Sequence, residues 1–125
     1  MIPLTQQELH NLAMNIVGER LKKMGYEFLA LNSQLKKHPQ FVLHYTKESV
    51  IFVLVKVTNN VQEVQDYHEV YEAAFLEKFL KHAAAQKAKV WFASVGLANA
   101  ENIDMPVFKG QPYYVAFEDF VKIIP

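Results

Sequence analysis

The chain has 125 residues, half of them hydrophobic and about a fifth charged, which suits one folded domain with an ordinary core and excludes a disordered polyelectrolyte. It has no cysteine, so disulfides, thiolate-held zinc and cysteine-ligated iron–sulfur clusters are ruled out, and the composition fits a protein of the cytoplasm. Net charge is zero, with +3 over residues 1–56 and −3 over the rest, and the single arginine, Arg20, argues against tight phosphate binding.

The start "MIPLTQQELHNLA" lacks the basic stretch and apolar run of a secretory signal, and no apolar segment is long enough to span a bilayer, so no membrane association is expected. Thr5 followed three residues later by Glu8 is a capping box. Leu9, Leu12, Ala13, Ile16, Val17 and Leu21 then recur at helical spacing, and Gly25 stands where a left-handed residue ends a helix.

"YEFLAL" reads as a first strand and "NSQLKKHP" as a loop. "QFVLHY" and "SVIFVLVKV" read as two more strands, joined by "TKES", short enough for an antiparallel hairpin. A single long helix is predicted over Val61–Lys87, acidic early and basic late in accord with the helix dipole. "VWFASVGL" has the continuous apolar character of a central strand covered on both faces. A polar loop with Pro106 and Gly110 leads to the last strand, "YYVAF", and "EDFVKIIP" reads as a turn or short helix. The order α-β-β-β-α-β-β implies an α/β domain with a mixed sheet between two helices, filling residues 1–125 as one unit.

Lys56 is the odd residue in this pattern, a charge close to the end of a strand that is apolar on both faces. The segment "ERLKKMGYEFLALN", the hairpin and the strand ending in V-K resemble the YraN-like branch of the PD-(D/E)XK, or restriction-endonuclease-like, superfamily. Members typically run "GY.IL..N", then a hairpin with an aspartate, then "VFVEVK", then a helix and an apolar strand. The likeness spans roughly Leu9 to Leu97 and runs without gaps from the hairpin through the lysine.

The resemblance implies a restriction-endonuclease-like αβββαβ core with an extra C-terminal strand. It also implies a magnesium site built from the hairpin aspartate and the glutamate of E-x-K, with the lysine beside the attacking water. Here the lysine persists as Lys56, but Phe41 and Leu54 occupy the acid positions, and a first-helix carboxylate would fall near Met14 or Asn15. Phe41 and Leu54 are therefore expected to pack together where an ion would sit, with Lys56 as a vestige whose stem runs along the apolar patch.

Other residues carry weaker signals. Glu63, Asp66 and Glu69 could supply migrated metal ligands, although Asp66 and Glu69 also suit a capping pair or a solvated first turn. His10, His38, His44, His68 and His82 show no zinc-ligand spacing. Ser33, Ser49 and Ser94 lack a nucleophile-elbow context, and no phosphate-binding glycine motif is present. Lys22, Lys23, Lys36, Lys37 and Lys47 could form a basic rim touching a nucleic-acid backbone, or simply a solvated face. Tyr113 and Tyr114 would suit pairing of sheet edges if "YYVAF" lies outermost. The expectation is a catalytically inactive nuclease-fold domain, without cofactor, serving as an intracellular binding or self-associating module. A weak nucleic-acid binder and a metal-dependent nuclease with migrated carboxylates are the alternatives.

Overall fold

The computed structural model of the chain describes residues 1–59, 61 and 65–123. Helix α1 (Gln6–Lys23) opens with the anticipated capping box: Thr5 Oγ1 accepts from the Glu8 amide while the Glu8 carboxylate accepts from the Thr5 amide. Gly25, at φ 88°, takes the left-handed conformation that a side chain would disfavour and turns the chain toward the sheet.

Six strands follow: β1 (Phe28–Leu31), β2 (Phe41–Thr46), β3 (Ser49–Thr58), β4 (Ala88–Asn99), β5 (Tyr113–Ala116) and β6 (Val121–Ile123). They form one mixed sheet in the order β1-β2-β3-β4-β5, with β6 also pairing to β4. The first three strands make an antiparallel meander, β3 and β4 run parallel, and β5 and β6 lie antiparallel to successive parts of β4. The domain is therefore α/β with an open mixed sheet.

Two segments depart from the sequence reading. The single helix expected over Val61–Lys87 is divided into α2 (Tyr67–Val70) and α3 (Ala73–Ala85), because Tyr71 and Glu72 are extended, with ψ of 142° at both. Tyr71 lies with its ring 5.8 Å from Phe92, 5.4 Å from Phe75 and 6.0 Å from His38. Tertiary packing of that ring thus overrides a helical periodicity that runs through it. The predicted helical stretch at residues 62–64 lies outside the described residues. The chain end expected as a turn or short helix instead supplies β6, whose Val121, Lys122 and Ile123 extend the sheet against Phe92, Trp91 and Val90.

Alternation along β3 explains its double-sided apolar character. Ile51, Val53 and Val55 pack under α1 with Val17, Leu21 and Trp91, whereas Phe52 and Leu54 pack under α3 with Phe79, Ala83 and Phe92. Each face thus carries its own cluster, and each fully buried side chain contributes about 1.5–3 kcal/mol by leaving water. Among the described residues no helix is long and apolar enough to cross a membrane.

Candidate functional site

The sheet forks near its upper end, where β3 outlasts its neighbour. β2 begins at Phe41, paired with Val53, and the chain before it turns away into the loop at residues 32–40. Gln40 occupies the point of separation and is fully buried. Its amide N–H donates to the Val53 carbonyl at 3.0 Å. Its side-chain oxygen accepts from the Val55 N–H at 2.8 Å, and its Nε2 donates to the Lys37 carbonyl at 2.8 Å. The glutamine thus replaces a strand partner that β3 has lost, leaving no orphaned backbone donor at Val55. The same Nε2 lies 2.9 Å from His38 Nδ1.

Around this amide sits a cluster of titratable groups. His38 is half-buried, with its ring edge-on to Tyr71 and Phe75 at 6.0 and 5.0 Å. Burial, reinforced by the Lys56 ammonium, holds its pKa below that of free histidine. His10 projects from α1, is 2% exposed, and its Nε2 has no hydrogen-bond partner among the described residues. Burial first, then the nearby charges of His38 and Lys56, lowers its pKa as well. The Tyr71 hydroxyl is also buried without a partner among the described residues, and burial pushes its pKa far above that of an ordinary phenol.

Lys56 itself is exposed at the end of the apolar run, and no described carboxylate pairs with it. The parallel register sets it beside Ser94 on β4, whose hydroxyl accepts from the Gln65 N–H at 3.4 Å.

The expected contact between Phe41 and Leu54 does not occur. Phe41 is paired with Val53 and points with it toward α1; Leu54, the next residue along β3, points to the α3 face. Both are buried, at 1% and 0% exposure, but the sheet lies between them. A one-residue offset in strand register decides the face. It is Gln40, not Phe41, that sits beside Leu54 and Val55 at the fork. Met14 is buried in the α1 cluster and Asn15 faces solvent.

The remaining candidate residues scatter. Asp66 caps α2 by accepting the His68 N–H at 2.9 Å, Glu69 is exposed in the following turn, and Glu63 lies outside the described residues. Among the described residues no three His, Cys, Asp or Glu side chains converge on one point. Lys22 and Lys23 end α1, and Lys47 sits in the β2–β3 turn, at the base of the sheet. Lys36 and Lys37 belong to the loop at the opposite end, with Lys56. The five lysines proposed as a basic rim therefore form two groups separated by the length of the strands. His44 is exposed on β2, and His82 stacks on Phe52 at 6.1 Å.

A family model described as a domain of unknown function, DUF8840, matches residues 7–123. The chain belongs to the DUF8840 family. No curated protein and no solved structure gives a significant match. The match takes in all of α1 but its first residue, the six strands and the fork, so the fork falls within the DUF8840 domain.

Sequence reasoning missed Gln40, His10, His38 and Tyr71 as members of one cluster. Gln40 carried the only available signal: an amide immediately ahead of an apolar strand whose partner strand is longer.

Proposed function

We propose that this DUF8840 domain is a restriction-endonuclease-like scaffold whose metal site has been replaced by hydrocarbon and an amide, and that it acts as a non-enzymatic binding or interaction module. The order of a helix, a three-strand antiparallel meander, a helical crossover and a parallel strand agrees with the αβββαβ core that the resemblance implies. The observation that carries the reading is Leu54. It occupies the metal-binding glutamate position of E-x-K, is fully buried, and packs with Phe79 and Phe92 where a hydrated cation would need oxygen ligands. Lys56 then has no cation or reacting water to serve.

The exposed sheet edge suits the interaction role. β5 is one of the two outer strands of the path, with Tyr113, Tyr114 and Val115 at 37%, 53% and 47% exposure. Such an edge offers backbone groups and aromatic surface to an added strand.

The test is calorimetry with magnesium and manganese together with a nuclease assay on single- and double-stranded substrates. No ion-binding heat and no cleavage are expected. Metal-dependent cleavage abolished by Lys56→Ala would overturn the proposal and favour migrated ligands.

A second reading, weak sequence-independent nucleic-acid binding, draws on Lys36, Lys37 and Lys56 at one end of the sheet, none of them paired with a described carboxylate. Fluorescence anisotropy at low salt would then show binding that declines steeply with ionic strength and weakens when these three lysines become alanine. Absence of binding to DNA and RNA at low salt would end it.

A further inference from the structure

We propose that His38 is a proton-operated latch: as a neutral ring it accepts the Gln40 amide and keeps the fork closed, and on taking up a proton it releases the loop at residues 32–40 from β3. The argument rests on which atoms can donate. The Gln40 carboxamide is orientated by two backbone groups of opposite character, the Val55 N–H on its oxygen and the Lys37 carbonyl on its nitrogen. Turning the amide over would set donor against donor at Val55 and acceptor against acceptor at Lys37. Nε2 therefore faces His38 Nδ1 as a donor, and Nδ1 must hold a lone pair. The ring is the neutral tautomer protonated on Nε2.

A proton added at Nδ1 would confront the amide N–H with another N–H. Burial of the ring makes that proton more costly, and positive charge nearby adds to it. Lys56 on β3 and His10 on α1 bring positive or potentially positive charge toward it, and Tyr71, between α2 and α3, presents an aromatic ring. Lys37, in the same loop, is another cation in the segment, though its side chain faces solvent. No described carboxylate acts on either imidazole. His10, buried with an unpartnered Nε2, resists protonation in the same sense and couples to His38. The fork is thus closed by one glutamine whose side chain bridges the β3 backbone and the loop, and whose contact with His38 is sensitive to acid. When that bond is lost, Gln40 keeps its backbone contacts only if the loop stays. The loop meets the α3 side through the His38 ring against Tyr71 and Phe75, while Gln7 on α1 ties its other end by donating to the Ser33 carbonyl and accepting from the Leu35 N–H.

This inference stands whether or not the domain descends from a nuclease. It is tested by nitrogen-15 NMR of the histidine rings of the full chain from about pH 8 to about pH 5, with amide exchange followed at Val55 and Gln40. His38 is expected as the Nε2–H tautomer, titrating below the ordinary histidine range. The protection factors of Val55 and Gln40 are expected to fall roughly tenfold or more through the same midpoint, while Ile51 and Val53 at the base of β3 stay protected. His38→Gln should abolish the acid-dependent loss at Val55. An Nδ1–H tautomer, a midpoint at or above that of free histidine, or protection at Val55 that ignores the titration would each overturn the latch. So would a folded His38→Gln protein that keeps the acid-dependent loss; should that variant not fold, the wild-type titration decides alone.

Discussion

The two halves of β3 are built on different principles although they belong to one strand. Over Val50–Val53 the strand is paired on both sides, with β2 and β4, and buried on both faces by hydrocarbon. Over Val55–Thr58 β4 remains but β2 has gone, and the Gln40 side chain, backed by His38, takes the place of the neighbouring strand at Val55. The lower half is held by packing, which tolerates little and responds to nothing. The upper half keeps that packing at Val55 but adds a hydrogen bond to Gln40, which is itself bonded to a group that can take up a proton. Stability and responsiveness are thereby separated along a few residues of a single strand, with Leu54 as the last buried position on the α3 face before the exposed Lys56.

The sharpest break of this contrast is at the boundary. Leu54→Ala should cost about 2–5 kcal/mol, because the side chain is fully buried between Phe79 and Phe92 and the sheet cannot collapse around the void. Lys56→Ala, two residues on, should change stability by less than about 0.5 kcal/mol, since an exposed and unpaired side chain is lost. Urea denaturation of the two variants checks both, and a large loss at Lys56 would mean that the upper half depends on packing after all.

Gln40→Ala comes next in size. It leaves the buried Val55 N–H without its acceptor, and one such orphan costs about 1–3 kcal/mol. The loss should be accompanied by faster amide exchange confined to the fork, which separates a local hydrogen-bond defect from a general weakening. The smallest effect is expected at Tyr71→Phe. Its hydroxyl is buried without a partner, so removing the oxygen should leave stability within about 1 kcal/mol of the parent or raise it. A destabilisation well beyond that would reveal a hydrogen bond to the hydroxyl and enlarge the polar cluster.

The same contrast explains what could be read from the sequence. The capping box at Thr5 and Glu8, the turn at Gly25, the β2–β3 hairpin and the buried run of β4 are local patterns, and each signals its element by spacing alone. The break after Val70 was not legible, since the residues around Tyr71 continue a helical period and only packing on Phe92 interrupts it. β6 was hidden because Val121–Ile123 is short and finds its partner far away in the chain, at Val90–Phe92. At the candidate site the positions of Phe41 and Leu54 could be marked, but not that the pairing of Phe41 with Val53 sends the two side chains to opposite faces. The roles of Gln40, His38, His10 and Tyr71 arise where one loop, α1 and the α2–α3 junction meet at the fork, and no spacing encodes such a meeting.

The parallel contact of β3 with β4 has a kinetic consequence. The β2–β3 hairpin closes through the two residues Lys47 and Glu48, whereas Val50 meets Ala88 only after the whole crossover through α2 and α3 has been gathered in. Chain entropy therefore favours the hairpin as the early scaffold, with β4 docking late, and truncations at Leu43 should slow refolding more than truncations at Phe92, which should mainly hasten unfolding. The centre of the finished sheet is, in order of assembly, one of its last seams to close.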